Sequence, residues 1–436
     1  MINNKCVETV QAKNSLSSVK KYQYIDILRA LAILGVLAAH SFPHITTLSP
    51  VTVAIFDYGQ LGVQLFFIAS AITLCLSASE RKETSQINFY TRRFFRIAPL
   101  YYFGILLYFF WRCAYTSYLQ GELSIPQDYT LLRVLENIIF VHGFDPSNFH
   151  YVVPGGWTIA TEMAFYVIFP FLFLILEKYG LRFFLIFTIA IAALSLCIQY
   201  VSIEIIQPIL VGEKIQESVI TNDEFGFIYA SIINQISVFM IGIIAFKFLH
   251  KKIATTHLLI AIILIFISCL IQYNRSYDTG YDGFFYIIMS AIAFAILAIK
   301  LSTISLPENI ICKVLVEVGR NSYSMYIVHF LILDVLKFVY EHSIYKGIEV
   351  GEFRLAIVFI SLTVLTFYAA RQTNKYIEKP GIKFGKHFIQ YIEKPREKEK
   401  EYDGGLGQPY SQRKWAENYY GDQFSNTVLK KDDEHL

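Results

Sequence analysis

The stretch YIDILRALAILGVLAAHSF, residues 24–42, is apolar enough to cross a membrane, yet it contains Asp26, Arg29 and His40. About 20 apolar residues in a helix span the hydrocarbon core of a bilayer. An ionisable side chain placed there costs on the order of 3 kcal/mol or more, and such residues usually serve a function. These three residues are therefore the first candidates for a functional site.

The composition of the whole chain indicates an integral membrane protein. Of its 436 residues, 55% are hydrophobic and 17% are charged, whereas soluble proteins carry about 25% charged residues. The net charge of +3 is small, and the lack of a basic stripe or zinc-finger spacing argues against a nucleic-acid partner. The six cysteines form no CxxC pair, so we expect no metal site and no disulfide framework.

Ten stretches have roughly the length and apolarity of membrane-spanning helices. They cover residues 24–43, 58–78, 97–117, 156–176, 182–202, 227–249, 256–273, 283–300, 321–340 and 354–374. An eleventh stretch, 131–143, is too short to cross and contains Arg133 and Glu136, so we predict an interfacial or re-entrant helix there. The expected fold is an all-α bundle of about ten transmembrane helices.

The distribution of lysine and arginine orients this bundle. With the N-terminus in the cytoplasm, the cytoplasmic loops hold more of these residues than the outer loops, as the positive-inside rule requires. Both termini are then cytoplasmic.

We predict a polar N-terminal segment at 1–21 without the apolar region of a signal peptide, a membrane domain at 22–386, and a polar tail at 387–436 that is disordered or loosely attached.

Arg29 and His40 are eleven residues apart, which is close to three full helical turns, so both side chains lie on one face. The rise between them is about 16 Å. The first span therefore presents a fixed cation near the cytoplasmic side and a titratable base in the outer half. A structural interpretation stays open, in which Arg29 snorkels to the cytoplasmic surface and His40 lies at the outer interface.

The loop predicted before the third span contains three arginines, in the sequence NFYTRRFFRIAP. Arg93 and Arg96 are one helical turn apart, and Arg92 lies beside them. Guanidinium groups bind phosphate in a bidentate geometry, so the cluster is a candidate anion site. Arginines at a cytoplasmic edge also serve topology alone, and this alternative stays open.

Glu162 follows the sequence PGGWTIAT at the outer start of the fourth span. A carboxylate about one and a half turns inside the membrane requires a partner. On the predicted topology Glu162 and His40 occupy the same half of the bilayer, where opposite charges stabilise each other. We therefore expect Glu162 to orient His40; a packing role against a neighbouring helix is the alternative.

Several motifs in order resemble the membrane acyltransferase-3 family, bacterial enzymes that O-acylate carbohydrates. The resemblance covers about residues 22–380 and rests on Arg29 with His40, YGQLGVQLFFIASA (58–71), RRFFRIAP (92–99), GGWTIATE (155–162), SYSMYIVH (322–329) and YIEKP (376–380). Two positions depart from the usual pattern: Ala71 stands where glycine is frequent, and Thr158 stands where serine is frequent. The resemblance implies a cytoplasmic acyl-CoA donor, usually acetyl-CoA, and an acceptor hydroxyl on the far side.

The resemblance also implies roles for the candidate residues. The arginine cluster is associated with donor handling, and the helix of Arg29 and His40 with catalysis. We hypothesise that His40 is the general base on a sugar hydroxyl, that Glu162 orients it, and that the CoA phosphates lie near Arg92, Arg93 and Arg96. A covalent acyl-enzyme is a less favoured variant, because no serine or cysteine is clearly paired with a base.

The remaining candidates are assigned by position in the sequence. Tyr101 and Tyr102 are placed with the donor or its oxyanion, and Trp157, Thr158 and His329 in the substrate pocket. Asp26 is expected to pair with Arg29, one turn away. His142 and His150, in an outer loop, are expected to be solvated.

The predicted function is a bacterial inner-membrane O-acyltransferase that acts on a carbohydrate, such as a surface polysaccharide or its lipid-linked precursor. The lipid bilayer is its environment, and homo-oligomerisation is left open. A transporter or flippase is the alternative. Such a protein would show inverted repeats or broken helices in matching positions, and none is evident in the sequence.

Overall fold

A computed structural model describes residues 22–41, 45, 47–81, 85–126, 129–202, 227–274, 282–341 and 351–403. No β-strand occurs in these ranges, so the described part of the chain is all-α as predicted. The chain divides into two units, of which the first ends at Gly381 and the second begins at Ile382. The predicted N-terminal segment, 1–21, lies outside the described residues.

The helices are numbered here in chain order. They are α1 (Gln23–Ser41), α2 (Pro50–Tyr58), α3 (Gly62–Arg81), α4 (Gln86–Gln120), α5 (Leu131–Ile138), α6 (Trp157–Val201), α7 (Ile232–Phe246), α8 (Thr255–Asn274), α9 (Asp282–Leu301), α10 (Ile310–Arg320), α11 (Ser322–Glu341), α12 (Gly351–Thr373) and α13 (Lys379–Asp403). Among the described residues, nine helical stretches are long and apolar enough to cross a membrane. The prediction of an integral membrane bundle is therefore confirmed.

One of the nine stretches accounts for two of the ten predicted spans. Helix α6 has 45 residues, and Gly180 in its middle leaves the helical region with φ 78° and ψ 175°. Thr161, near the start of α6, donates a hydrogen bond to the carbonyl of Ala230, just before α7. Gln199, near the end of α6, bonds Asn234 in the first turn of α7. Because both ends of α6 meet the same end of α7, its two halves run antiparallel as a hairpin.

Helix α1 lies at the centre of the first unit. Leu28, Ile33 and Leu37, which point in different directions around the helix, are all completely buried. Leu31 is 40% exposed, so other helices cover most of the surface of α1 but not all of it. The ionisable residues of α1 are therefore held inside the protein, where neighbouring helices supply their partners.

The arginine cluster lies on a helix and not in a loop, which corrects the sequence interpretation. Helix α4 begins at Gln86, where Ser85 caps it by accepting a hydrogen bond from the backbone N–H of Asn88. The helix continues through Pro99, as membrane helices can when neighbours compensate for the missing bond. Arg92, Arg93 and Arg96 consequently have a fixed helical spacing and project from the first three turns of α4.

Two further predictions concern the ends of the polar segments. The stretch 131–143 forms only the eight-residue helix α5 and a 3₁₀ turn at His142–Phe144, in agreement with a segment too short to cross. The start of the predicted polar tail, 387–403, is helical, because α13 continues to Asp403. Its run of glutamate and lysine consists of good helix formers. Residues 404–436 lie outside the described part.

Close backbone contact between α1 and α10 requires a glycine. A Cβ added at Gly319 would lie only 1.8 Å from the backbone carbonyl oxygen of Asp26. Neither backbone can move without displacing its helix, since helix interiors pack densely. Gly319 therefore controls how closely α10 approaches Asp26, and through it Arg29.

We expect Gly319→Ala to reduce the free energy of unfolding by about 3 kcal/mol, because overpacking against a backbone cannot relax. Thermal unfolding in detergent measures the loss. Gly104→Ala is the matched control, since its Cβ would meet only side-chain atoms, Cγ2 of Ile327 at 3.1 Å and Cγ1 of Val153 at 3.9 Å, and side chains can adjust. An equal melting temperature for the two variants would contradict this account of the packing.

Candidate active site

Arg29 is held by a residue of its own helix and by one of α3, and α10 contacts the carboxylate that pairs with it. Its Nη1 lies 3.8 Å from Oδ1 of Asp26, and its Nη2 donates a hydrogen bond of 3.0 Å to Oγ1 of Thr73 in α3. The second oxygen of Asp26 lies 3.4 Å from Nε of Arg320 in α10. The predicted pairing of Asp26 with Arg29 is thus observed, and the carboxylate positions the guanidinium group.

Arg29 lines a small internal cavity of about 70 Å³, which we call the arginine cavity. Its polar lining comprises Arg29, Arg93, Arg96, Glu162, Tyr166 and Tyr323 among others. Three arginines and one carboxylate line it, so the cavity has a net positive charge. Arg92 is not among the lining residues. The helical spacing of Arg93 and Arg96 thus directs two of the three clustered arginines inward.

Glu162 belongs to the arginine cavity, and its predicted pairing with His40 is wrong. Its Oε1 accepts hydrogen bonds from Ser70 Oγ at 2.6 Å and from Tyr166 Oη at 2.5 Å. Tyr166 also contacts Arg93, whose guanidinium carbon lies 5.9 Å from the phenol ring centroid. The sequence predicted how far Glu162 lies from the start of its helix. It gave no signal for the rotation of α6 about its own axis, which turns Glu162 toward α3 and α4.

A second and larger cavity, of about 510 Å³, lies toward the ends of α1 and α4 that the predicted topology places outside. We call it the histidine cavity. Its lining includes His40, Arg112, His150, Trp157, Tyr229 and Phe330. Val63 and Tyr326 line both cavities. The two cavities therefore meet at a shared wall, with arginines on one side and the imidazole of His40 on the other.

His40 is packed in a cluster of rings. Its ring centroid lies 5.3 Å from that of His329 and 4.5 Å from that of Phe330, both in α11. His329 is completely buried, and its Nδ1 lies 2.6 Å from the carbonyl oxygen of Tyr326. Because a carbonyl only accepts, Nδ1 carries the proton. His329 does not line either cavity. Its ring packs against the ring of His40.

The two glycines before α6 place the start of that helix against α11. Gly155 has φ +73°, and a Cβ there would lie 2.8 Å from Oη of Tyr326, whose hydroxyl donates to the Gly155 carbonyl at 3.1 Å. Only glycine combines this left-handed conformation with so close a contact. As a result Trp157 faces the histidine cavity and Thr158 the arginine cavity. Both predicted pocket residues thus line a cavity.

Tyr101 and Tyr102 do not line either cavity, so the structure separates them from the arginines. Tyr101 Oη donates a hydrogen bond of 2.6 Å to Asn137 and lies 3.0 Å from Nε2 of His142. Tyr102 Oη donates to the carbonyl of Ile138 at 2.8 Å. Both hydroxyls fasten α5 and the 3₁₀ turn at His142–Phe144 to α4. Their expected contact with a donor is therefore not supported.

His142 is buried and not solvated, contrary to the sequence interpretation. Its Nε2 lies 3.1 Å from the Gly156 carbonyl, which links the 3₁₀ turn at His142–Phe144 to the glycine pair before α6. Burial lowers the pKa of His142 from 6.5 to about 4. Nothing in the local sequence distinguishes His142 from an exposed loop histidine, because its partners come from α4 and the start of α6.

We expect this burial to make the folded protein less stable in acid. Below pH 6.5 the unfolded chain binds a proton at His142 that the folded chain takes up only near pH 4, so stability falls as the pH decreases through that window. The loss between pH 7.5 and pH 5 amounts to about 2 kcal/mol. Melting temperatures of the protein and of His142→Gln at both pH values test this. A pH dependence of equal size in the two proteins would contradict it.

The geometry can be compared with known proteins. The model of the acyltransferase-3 family, described as an acyltransferase domain, matches residues 22–371. The chain belongs to this family. The match includes α1 with Arg29 and His40, the arginines of α4, and the start of α6, so all the cavity-lining residues named above lie within it.

Two relatives illustrate how similar this chain is to known proteins. A protein of Staphylococcus aureus strain COL named "Putative O-acetyltransferase" is 25% identical over 408 residues, which cover 84% of this chain and 58% of the relative. The O-acetyltransferase OatA of S. aureus strain NCTC 8325 is 25% identical over 399 residues, covering 85% and 59%. The chain therefore spans less than two thirds of these relatives. No solved structure is significantly similar to it.

Proposed function

We propose that this protein is a bacterial inner-membrane O-acyltransferase that moves an acyl group, in the first instance acetyl, from acyl-CoA to a hydroxyl of a carbohydrate. The observation that carries the proposal is the pair of adjoining cavities. One has a net positive charge, the other contains His40, and Val63 and Tyr326 line both. An enzyme that joins a cytoplasmic donor to an acceptor from the other side needs two such compartments.

The arginine cavity is suited to the donor. With about 70 Å³ it holds only a small group such as an acyl thioester. The nucleotide end of the donor would lie toward the start of α4, which is cytoplasmic in the predicted topology. Arginine binds phosphate through charge-assisted bidentate hydrogen bonds. In this arrangement Arg93 and Arg96 hold the donor, with Arg92 next to them.

The histidine cavity is suited to the acceptor. His40 in its neutral form would take the proton of the attacking hydroxyl as general base. The hydroxyl oxygen forms a bond to the thioester carbonyl carbon, the carbon–sulfur bond breaks, and the CoA thiolate leaves and is protonated. His329 fixes the position of His40 by ring packing. Arg29 and Glu162 act at the donor side of the wall.

Glu162 has a different role here from that of a triad acid. Its hydrogen bonds from Ser70 and Tyr166 orient the carboxylate among Arg29, Arg93 and Arg96. A single negative charge reduces the repulsion among three partly buried cations. Glu162 would thus keep the arginines close together while leaving positive charge for the donor.

The experiment uses purified full-length protein in vesicles with labelled acetyl-CoA and a cell-envelope glycan fraction. We expect label in the glycan and release of one thiol for each acyl group transferred. A transporter would instead move glycan across the membrane and leave the thioester intact, and that outcome would overturn the proposal. Heat-denatured protein provides the background rate.

A further inference from the structure

The histidine cavity contains an arginine that has no assigned role. We propose that this cavity binds an anionic carbohydrate, with a carboxylate or phosphate group of the acceptor held by Arg112. The inference rests on the proposed function and specifies the chemical class of its acceptor. It is carried by the charge of the cavity lining, by the contacts of Arg112 and by the aromatic side chains around them.

The lining of the histidine cavity is one-sided in charge. Arg112 lines it together with the imidazoles of His40 and His150, and within the described ranges no aspartate or glutamate does. The neighbouring carboxylate of Asp334 accepts a hydrogen bond of 3.1 Å from Trp111 Nε1 and lies outside the lining. A cavity with this lining favours a negative charge on its ligand.

The guanidinium group of Arg112 still has its hydrogen-bonding capacity. Its guanidinium carbon lies 5.7 Å from the ring centroid of Tyr129, and it interacts electrostatically with the carboxylate of Asp334 without forming a direct ion pair. No carboxylate or carbonyl in the described part of the chain accepts a hydrogen bond from it. Arginine offers five N–H donors in a planar fork that matches a carboxylate or phosphate. A ligand in the cavity can supply that acceptor.

The rest of the lining is suited to a sugar ring. Trp157 and Tyr229 meet edge to face with centroids 5.6 Å apart, and Tyr326 and Phe330 complete an aromatic wall. Aromatic rings combine a large apolar surface with low conformational entropy, and sugar rings present apolar C–H faces to them. The volume of about 510 Å³ lies within the range of small-molecule sites.

The position of Arg112 agrees with the chemistry of transfer. Arg112 projects from the outer half of α4, and His40 projects from the outer half of α1 into the same cavity. An acceptor anchored by its anionic group at Arg112 would therefore present its hydroxyl groups within the compartment of the base. Such an anchor reduces the orientational freedom of the acceptor before reaction.

The test compares acceptors that differ in charge. Full-length protein in phosphatidylcholine vesicles receives acetyl-CoA and a panel of hexosides, each supplied as neutral glycoside, uronic acid and 6-phosphate. We expect KM for the anionic members to be at least about tenfold below that of the neutral ones, since a charge-assisted hydrogen bond contributes this much. Arg112→Gln should remove the preference, and Arg112→Lys should retain part of it. Arg182→Gln, an exposed arginine in α6, is the matched control.

Each outcome decides the proposal. Equal KM values for neutral and anionic hexosides, or an unchanged ratio in Arg112→Gln, would overturn it. If Arg112 held the phosphate of a lipid headgroup, its replacement would change the rate equally for neutral and anionic acceptors, which also overturns the proposal. Transfer to the envelope glycan but to no hexoside would reject the inference and leave the proposed function standing. If the ratio of neutral to anionic KM is larger for uronic acids than for 6-phosphates, the group that Arg112 binds is a carboxylate. If the ratio is larger for 6-phosphates, the group is a phosphate.

Discussion

Replacing His40 by glutamine is expected to lower kcat for acyl transfer by about 100-fold to 10⁴-fold, the usual contribution of a general base. Glutamine retains much of the volume beside His329 and Phe330, so the ring cluster keeps its packing. It cannot accept the proton of the attacking hydroxyl. KM for the donor should change little, because the arginine cavity lies on the other side of the wall formed by Val63 and Tyr326.

The assay follows labelled acetyl transfer and thiol release in the same vesicles. His257→Gln is the control, because this exposed histidine lies in α8 and lines neither cavity. Normal kcat in His40→Gln would remove the residue from the catalytic role. A loss of kcat with correct insertion and an unchanged melting temperature would support it.

The second large effect is expected on KM for acetyl-CoA when Arg93 or Arg96 is replaced. Arg93→Gln and Arg96→Gln should each raise KM for acetyl-CoA by about 10-fold to 100-fold, since a hydrogen bond to a charged group contributes about 1.5–3 kcal/mol. kcat at saturating donor should fall much less. Because the two arginines line the same cavity, we expect their combined effect to differ from the sum of the single effects.

Donor titrations of the single and double variants measure these constants. Arg371→Gln is the matched control, as Arg371 is exposed in α12. An increase in KM for the acceptor with an unchanged KM for the donor would place the donor elsewhere. Lysine at either position should recover part of the affinity, because it keeps the charge and loses the bidentate geometry.

The expected effects of His40→Gln on kcat and of the arginine variants on KM distinguish the chemical step from donor binding. Arg29, Arg93, Arg96 and Glu162 share the arginine cavity, whereas His40 shares its cavity with Trp157 and Arg112. Val63 and Tyr326 line both compartments, and the proposed function places one reaction centre beside them. This arrangement explains why one helix, α1, carries a fixed cation and a base at different depths.

Periodicity was sufficient for α1 and for the contact within it. The run of residues 24–42 predicts α1, and the eleven-residue spacing of Arg29 and His40 places both on the face that meets the cavities. The i, i+3 spacing of Asp26 and Arg29 predicts their ion pair. The length of each apolar run likewise predicts an integral membrane protein with about ten spans.

The tertiary structure alone decided which faces meet. Glu162 turns to Ser70, Tyr166 and the arginines, and His142 is buried by partners from two other elements. Membrane helices that are apolar all round carry no stripe that shows which side meets a neighbour, because lipid and protein interior are equally apolar. The amino-acid sequence therefore determined the helices, their depth and the ionisable groups they carry. Helix packing determined the partners of those groups, because close contacts such as that of Gly319 with Asp26 set the rotation and distance of each helix.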